Sequence, residues 1–274
     1  MRPFVLSLAA LTVLGGCATS EIVNASWRSV PSGDDMADAY PGFAAALGLR
    51  GSARLTCQAR PDGRLADCKP DRVRPSGLGF DQAALDLVDR FQTAPRTRDG
   101  EPVASEVRFT VRFELAPDEP PSPWSGAEPS AEALSLAQEI APRFTAPLTQ
   151  GPGAVSLDGL PADRVVAVQS MVRTLDQTWR SRRAEATALA MARTVPVSTL
   201  EMLRFGNRRP PRPDLSDAEL ASAGDRLSAV DDEAMADLRA RYCARYDCAE
   251  PRPSRRSSVF VNPVGAAAPV ASGA

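Results

Sequence analysis

The chain has 274 residues, which is long enough for one large or two small domains. Its hydrophobic content of 43% and its charged content of 24% are ordinary for a globular protein. A net charge of −2 argues against nucleic acid or an anionic membrane surface as the main partner. Histidine is absent from the sequence, so the commonest general base and metal ligand is missing.

The N-terminus has the pattern of a bacterial signal peptide over residues 1–16. Arg2 supplies the positive charge, and the apolar run Phe4–Leu14 is shorter than the ~20 residues that span a bilayer. Leu14-Gly15-Gly16-Cys17 resembles the lipobox of bacterial lipoproteins, which implies cleavage before Cys17 and attachment of diacylglycerol to its sulfur. The alternative is an ordinary secretory signal with an incidental cysteine. Because Ala18 follows where an aspartate would favour the inner membrane, we expect sorting to the outer membrane.

Residues 17–39 are polar and lack strong periodicity, so we predict a short tether there. Residues 40–116 carry the clearest pattern in the chain. They predict a β-hairpin, then an amphipathic helix, then a third strand. This part of the chain is therefore expected to be a small folded domain.

The predicted hairpin turn is Asp62-Gly63, because both residues tolerate the positive φ of a two-residue primed turn. With this turn Pro61 faces Arg64, and counting outward places Cys57 opposite Cys68. Facing residues in an antiparallel pair lie ~4.5–5.5 Å apart, which is within the range that a disulfide needs. The sequence therefore predicts a Cys57–Cys68 disulfide.

The helix and the third strand are predicted from their hydrophobic periods. One apolar stripe at helical spacing runs along Phe80, Ala83, Ala84, Leu87, Val88 and Phe91. The strand Val107–Leu115 alternates apolar and polar residues, which is typical of a sheet with one buried face and one face in water.

The ordered set of these motifs resembles the C-terminal domain of the TonB family, over roughly Tyr40–Leu115. The motifs are Tyr40-Pro41, Asp62-Gly63, the segment from Gly79-Phe80 to Ala83-Ala84-Leu85, Asp99-Gly100-Glu101-Pro102-Val103, and the alternating strand Phe109–Phe113. The resemblance implies an α+β fold with a small ββαβ domain, in which a three-stranded antiparallel sheet packs on a helix. It also implies that an extended segment of a receptor pairs with the last strand.

The predicted topology leaves that last strand at an edge of the sheet. A hairpin followed by one returning helix gives the strand order second, first, third when all strands are antiparallel. The partner-binding edge is then expected at Val107, Arg108, Phe109, Thr110, Val111, Arg112 and Phe113. Cover of this edge by the helical half, or by a second copy in a homodimer, is the alternative.

A proline-rich linker over residues 117–129 marks the end of the domain. The all-α region predicted over residues 130–250 has a first helix that Ser130 caps and that ends near Ile140, and a second that begins at Pro161. The capping box Ser216–Glu219 opens a later helix, expected to carry Leu220 and Leu227. The tail 251–274 is expected to be disordered.

The remaining candidate sites are interpreted as structural. Without Cys17 four cysteines remain, so three pairings are possible; Cys57–Cys68 and Cys243–Cys248 are the local ones. A metal half-site at Cys243 and Cys248 is disfavoured, because the chain has no histidine and no second ligand pair. We predict no catalytic residues, no metal and no cofactor.

Two shorter motifs are also interpreted as structural. The acidic run 231–233 is expected at a helix start, where negative charge complements the helix dipole. Trp179 with Arg180, Arg182 and Arg183 is interpreted as a core aromatic flanked by solvated charges rather than as a recognition patch.

The leading hypothesis is a lipid-anchored interaction protein on the periplasmic face of the bacterial envelope. Its partner would be an envelope protein, such as an outer-membrane receptor, and it would bind no nucleic acid. An energy transducer of TonB-dependent outer-membrane transport is the alternative, and an enzyme in the helical half is a third class. In the TonB family the spanning helix that couples to the inner-membrane motor carries a histidine, so the absence of histidine favours the first hypothesis.

Overall fold

A computed structural model describes residues 22–115, 121–148, 155–206 and 212–249. The architecture is α+β, as predicted, with a small domain of antiparallel strands and helices followed by a helical region. The signal peptide, the predicted lipidation site Cys17 and the tail 251–274 lie outside the described residues.

The first domain contains both strands and helices, and all elements after it are helices. In chain order the first domain comprises β1 (Ile22–Val23), β2 (Ser26–Ser29), α1 (Gly33–Asp38), α2 (Gly42–Ala46), β3 (Gly51–Ala59), β4 (Leu65–Arg74), α3 (Phe80–Asp86), β5 (Gln92–Ala94), β6 (Arg96–Arg98), β7 (Glu101–Val103) and β8 (Ser105–Phe113). The helical region comprises α4 (Ala131–Phe144), α5 (Ala162–Thr194), α6 (Val197–Arg204), α7 (Asp217–Ala223) and α8 (Asp225–Arg245).

The main sheet has the order β4-β3-β8, and both strand pairs are antiparallel. This confirms the predicted order second, first, third. The alternating pattern of β3 and β8 puts one face of the sheet in the core, where Leu55 lies opposite Phe109 and Ala53 lies opposite Val111. The other face carries the polar residues of both strands.

The β3–β4 turn is one residue longer than predicted. The Gly63 N–H donates to the Arg60 carbonyl at 2.9 Å, and Arg60 rather than Pro61 faces Arg64, where its N–H donates to the Arg64 carbonyl at 2.9 Å. Proline has no N–H with which to close a strand pair, but its fixed φ suits the second position of a type I turn. Gly63 then takes a φ of +86°.

A bulge at Asp67 restores the register that the longer turn would have shifted. Ala66 pairs with Gln58, whereas Lys69 pairs with Thr56, so one extra residue is accommodated between them. Asp67 takes a φ of +52° at this point. Cys57 and Cys68 consequently face each other, with their Cα atoms 4.1 Å apart, and form the predicted disulfide.

The predicted long helix after Gly79 is shorter than expected. Helix α3 ends at Asp86, a 3₁₀ turn covers Val88–Arg90, and Phe91 is extended. The stripe is nevertheless buried along Phe80, Ala83, Ala84, Leu87 and Phe91, while Val88 is only partly buried. The tighter turn reorients the chain so that β5 can begin at Gln92.

The segment predicted as a tether is folded from Ile22 onward. Strand β1 pairs with β6 and β2 pairs with β5, both antiparallel. Helix α1 begins at a capping box in which the Ser32 hydroxyl accepts from the Asp35 N–H and the Asp35 carboxylate accepts from the Ser32 N–H. Strands of two and four residues are too short to give a hydrophobic period, which explains why the prediction of a tether was wrong here.

The helical region follows the prediction with three corrections. Ser130 caps α4 as expected, but the helix continues through Pro142, and the Thr145 N–H still donates to the Ala141 carbonyl at 2.9 Å. Ser216 and Glu219 form the predicted capping box of α7, but this helix stops at Gly224, so Leu227 belongs to α8. The acidic run 231–233 lies within α8 instead of at a helix start.

The two halves share one hydrophobic core. Tyr242 of α8 packs edge-on against Phe43 of α2 with their ring centroids 5.1 Å apart, and both side chains are fully buried. The Nη1 of Arg164 donates to the Ser76 carbonyl at 3.0 Å and to the Gly77 carbonyl at 3.1 Å. The same nitrogen donates to the Tyr242 hydroxyl at 2.9 Å. The helix pair α5–α8 therefore covers the loop between β4 and α3.

The end of the linker lies against the helical region. The Trp124 N–H donates to the Asp225 carboxylate at 3.3 Å, and the Pro123 carbonyl accepts from the Ser222 hydroxyl at 3.0 Å. A second apolar cluster joins α4, α5 and α6; its buried residues are Ala133, Ala137, Ile140, Ala141, Ala188, Met191, Ala192, Val195, Leu200 and Leu203.

Candidate functional site

The residues predicted as a partner-binding edge all lie on β8. Strand β8 runs along one edge of the main sheet, and among the described residues β3 is its one strand partner. Its nine residues contain no proline, so each carries a backbone N–H and a carbonyl. Successive backbone groups point to opposite sides of a strand, which leaves half of those of β8 directed away from β3.

Two groups of aromatic side chains hold β8 in place from the core side. Phe113 contacts Phe80 and Tyr40, with ring centroids 5.3 and 5.7 Å away. Phe109 contacts Phe91 and Trp27, with both centroids 4.9 Å away. Aromatic pairs of this kind contribute about 0.5–1.5 kcal/mol beyond their area burial. The edge is therefore presented by a rigid strand.

A groove of about 610 Å³ runs beside the first half of β8. One wall is the β8 segment 105–109, and the other wall is formed by residues 24–27 together with Thr93 and Arg96. No residue of the helical region that the structure describes lines this groove. Sequence reasoning missed Trp27 and Arg96, because Trp27 was assigned to a tether and Arg96 has no periodic pattern around it.

The water-exposed face of the sheet carries a ladder of alternating charges across its three strands. Asp71 of β4 accepts from the Arg54 Nε of β3 at 2.5 Å and from the Thr56 hydroxyl at 3.2 Å. The Arg108 Nε of β8 donates to the same Thr56 hydroxyl at 3.2 Å and lies 3.8 Å from Asp71. A second Arg108 nitrogen donates to Glu106 at 3.2 Å. The charges of Arg54, Asp71, Glu106 and Arg108 on this face are thus mutually compensated.

The hydrogen bond from Arg54 lowers the pKa of Asp71, and the Arg54 charge, the Thr56 hydroxyl and Arg108 lower it further against the effect of burial. Because the pKa of Asp71 is lower in the folded state than in the unfolded chain, its ionised carboxylate stabilises the fold at pH values above the ordinary carboxyl pKa. This contribution is lost as the pH falls through the lowered pKa of the folded state. Asp71 therefore keeps its negative charge at neutral pH.

Both local disulfides are formed. Cys57 lies in the core face of β3, opposite Val107 of β8, so the Cys57–Cys68 bond braces the sheet directly behind the edge strand. Cys243 and Cys248 are bonded at the end of α8, with their Cα atoms 5.4 Å apart, which confirms the disulfide interpretation of this pair. Helix α8 ends at Arg245, between the two cysteines.

The loop before α3 and the segment around Trp179 serve packing. The loop before α3 packs on α5: the Arg164 guanidinium lies where a side chain on Gly77 would be, and Gly79 has a φ of +84°. The Trp179 Nε1–H donates to the Asp237 carboxylate of α8 at 3.2 Å. Arg183 is buried and contacts Asp231, so the prediction of solvated charges was wrong for this residue.

The described ranges contain no cluster of three or more histidine, cysteine, aspartate or glutamate residues that could hold a metal ion. None of the helices in those ranges combines the length and the apolar character that crossing a membrane requires.

Comparison with known proteins agrees with the domain described above. The family model for the Gram-negative bacterial TonB protein C-terminal domain matches residues 36–115. Residues 36–115 form a TonB C-terminal-like domain. A solved structure of the Pseudomonas aeruginosa TonB C-terminal domain is 23% identical over 35% of this chain and 91% of its own length, with a TM-score of 0.28. None of the curated proteins matches the chain.

A TonB C-terminal-like domain indicates an envelope protein that acts through protein–protein interaction. The family of this domain consists of non-enzymatic transducers and interaction modules. The family match ends at residue 115, where β8 has just been completed. The helical region lies outside the match. It is therefore an addition to the TonB C-terminal-like domain that shares its core.

Proposed function

We propose that this protein is lipid-anchored on the periplasmic face of the envelope, with the outer membrane as the favoured location. Its TonB C-terminal-like domain captures an envelope protein by adding an extended segment of that protein to β8. A receptor of TonB-dependent transport or another outer-membrane protein is the expected class of partner.

The observation that carries this proposal is the edge of β8 with the groove beside it. A strand with unpaired backbone groups along one side is a template for another strand. Each backbone hydrogen bond formed there contributes about 0.5–1.5 kcal/mol net, so four or five of them supply a useful affinity. The aromatic contacts of Phe109 and Phe113 fix the strand before the partner arrives, which lowers the entropic cost of binding.

The polar face of β8 limits unspecific pairing. Glu106, Arg108 and Arg112 alternate with core residues along the strand, and charged side chains on an edge discourage association with arbitrary strands. A second copy of this chain is the competing occupant of the edge. Capture of a different protein and self-association are separated by the experiment below.

The lipobox at residues 14–17 supports the anchor. The expected modification is diacylglycerol on the Cys17 sulfur after cleavage of the signal peptide. Intact mass measurement of the protein isolated from membranes tests this part of the proposal, since an unmodified Cys17 contradicts it.

Proline substitutions test the strand addition. Successive N–H groups of a strand point to opposite sides. One of the two substitutions Thr110→Pro and Val111→Pro therefore removes an N–H on the free side of β8, and the other removes an N–H that is bonded to β3. A photoreactive residue at the exposed position Arg108 links the partner in cells, and mass spectrometry identifies the linked segment. We expect the proline at the free side to abolish the cross-link and Arg112→Glu to weaken it.

Circular dichroism and thermal unfolding identify which proline variant keeps the wild-type fold. If that variant still forms the same cross-link in the same yield, strand addition at β8 is wrong. A cross-link to a second copy of this chain instead assigns the edge to a homodimer.

A further inference from the structure

The connection between the proposed lipid anchor and the first strand is short. Only residues 18–21 separate Cys17 from Ile22, where β1 begins. Five Cα–Cα steps span at most about 18 Å, even when the chain is fully extended. The headgroup layer takes up about 5–8 Å of that reach, because the acyl chains on Cys17 enter the hydrocarbon beneath it. With Cys17 acylated, the start of β1 therefore lies within about 13 Å of the outer surface of the headgroups.

The β6–β7 hairpin lies beside the point where this connection enters the domain. Strand β1 is antiparallel to β6, and Ile22 pairs with Arg98, the last residue of β6. Asp99 and Gly100 form the turn, with φ values of +54° and +86°, and Glu101 of β7 pairs with Arg98. Strand β1 thus begins at the turn end of the hairpin and runs away from it. The turn is therefore on the side of the domain that the lipid anchor approaches.

The tip of this hairpin, residues 98–102, is open to solvent. Each of its residues is exposed, and a Cβ on Gly100 would meet no atom within 4 Å. The described part of the protein therefore leaves the tip uncovered. Arg96, which lines the groove beside β8, is two residues from Arg98 on the same strand, about 7 Å away.

The side chains of the tip suit the headgroup layer of a zwitterionic phospholipid. Arg98 offers a guanidinium to the lipid phosphate, and Glu101 offers a carboxylate to the ammonium group of phosphatidylethanolamine. Within the described ranges, neither of these two side chains forms an ion pair. The tip has no large aliphatic or aromatic side chain, so its contact stays at the level of the headgroups.

We infer that the tip of the β6–β7 hairpin is the membrane-facing surface of the anchored protein and rests on the headgroups of zwitterionic phospholipid. This inference rests on the lipid anchor proposed above and adds the orientation that a short connection imposes. The groove at Arg96 then lies on the membrane-facing half of the domain, so that the edge of β8 is presented to proteins of the same membrane.

The experiment uses the full acylated chain in vesicles of phosphatidylethanolamine and phosphatidylcholine. An amino acid with a diazirine side chain replaces Glu101 of the tip or, as a matched control, Glu201, an exposed glutamate on α6 in the helical region. After illumination, mass spectrometry of the digested protein detects the phospholipid linked to each position. We expect lipid adducts at position 101 and no more than the unilluminated background at position 201.

A spacer variant tests whether the short connection sets this orientation. About twenty glycine and serine residues inserted between Ser20 and Glu21 add a reach of ~25 Å. We expect the insertion to lower the lipid adduct at position 101 to the level at position 201, while the protein stays bound to the vesicles through its acyl chains. Circular dichroism checks that each variant keeps the wild-type fold.

The outcomes separate this inference from the function on which it rests. An acylated, vesicle-bound protein that is labelled at position 201 as strongly as at position 101, or at neither position, overturns the orientation and leaves the anchor intact. Undiminished labelling at position 101 in the spacer variant overturns the role of the short connection. A protein without acyl mass on Cys17 contradicts the anchor itself, and the orientation with it.

Discussion

At the scale of single residues, Arg183 shows how the helical region is held together. It is the one charged residue classed as buried within the described ranges. Its Nε donates to Asp231 of α8 at 2.6 Å, another of its nitrogens donates to the Ala146 carbonyl at 2.7 Å, and Asp176 lies 3.8 Å away. A single guanidinium therefore links α5, α8 and the chain that follows α4.

Arg183→Ala should lower the free energy of unfolding by about 2–3 kcal/mol, because Asp231 and the Ala146 carbonyl lose their hydrogen-bond donor, whereas Asp176 keeps its ion pair with Arg180 at 3.0 Å. This loss of stability is smaller than for a fully buried ion pair, because the Asp231 side chain is 38% exposed to water. Urea denaturation followed by circular dichroism measures it.

Arg182→Ala is the matched control. Arg182 pairs with Glu233 at 2.7 Å, but both side chains are about half exposed, so its loss should cost under about 1 kcal/mol. Equal effects of the two substitutions would show that Arg183 has no special structural role.

At the scale of elements, the β3–β4 hairpin combines a turn and a bulge that offset each other. The three-residue loop shifts the register by one, and the bulge at Asp67 shifts it back before Cys68 is reached. Gly63 is central to the turn, because its carbonyl accepts from the Thr93 N–H at 2.8 Å and so ties the hairpin to β5.

Gly63→Ala should destabilise the protein more than Gly100→Ala. Both glycines have a φ of +86°, so each substitution incurs about 1–2 kcal/mol of backbone strain. A Cβ on Gly63 would also lie 2.2 Å from the Thr93 carbonyl oxygen, whereas a Cβ on Gly100 meets nothing within 4 Å. The close contact adds about 1–3 kcal/mol.

Thermal unfolding of the two alanine variants measures this difference. If the melting temperature falls equally in both variants, the backbone around Gly63 accommodates the added Cβ without loss of stability. The contact between Gly63 and β5 would then not be important for the hairpin.

The hairpin also shows what the sequence could and could not predict. Periodicity identified β8 and the apolar stripe from Phe80 to Phe91, since long regular patterns reflect one buried face. The disulfide of Cys57 with Cys68 was predicted correctly from a turn that was one residue too short, because the unpredicted bulge at Asp67 compensated. Bulges depend on local backbone conformation and leave no periodic signal.

The site itself was predictable only in part. The alternating run from Val107 to Phe113 indicated the edge strand, and the strand order followed from a hairpin and one returning helix in an antiparallel sheet. Trp27 and Arg96 form the opposite wall of the groove, but they belong to strands of four and three residues whose pairing is set by tertiary contacts. Only the spatial arrangement brings these residues to β8.

At the scale of the whole molecule, the TonB C-terminal-like domain and the helical region are joined by a common core. Within the described residues, the helical region leaves the edge of β8 uncovered. Tyr242 and Leu238 of α8 are fully buried together with Phe43, so helices α5 and α8 are part of the folded unit. The groove beside β8 is lined by residues of the first domain within the described chain. The helical addition therefore stabilises the domain without filling the site.

Hydrogen exchange of the full chain tests strand addition most directly. The probe is a synthetic peptide of the segment linked to Arg108, and amide exchange is measured with and without it by NMR. We expect the amides of β8 directed away from β3 to become protected when the peptide is bound, while those of α5 and α8 exchange as before. Unchanged exchange along β8, with protection gained elsewhere on the surface, would contradict capture by this strand.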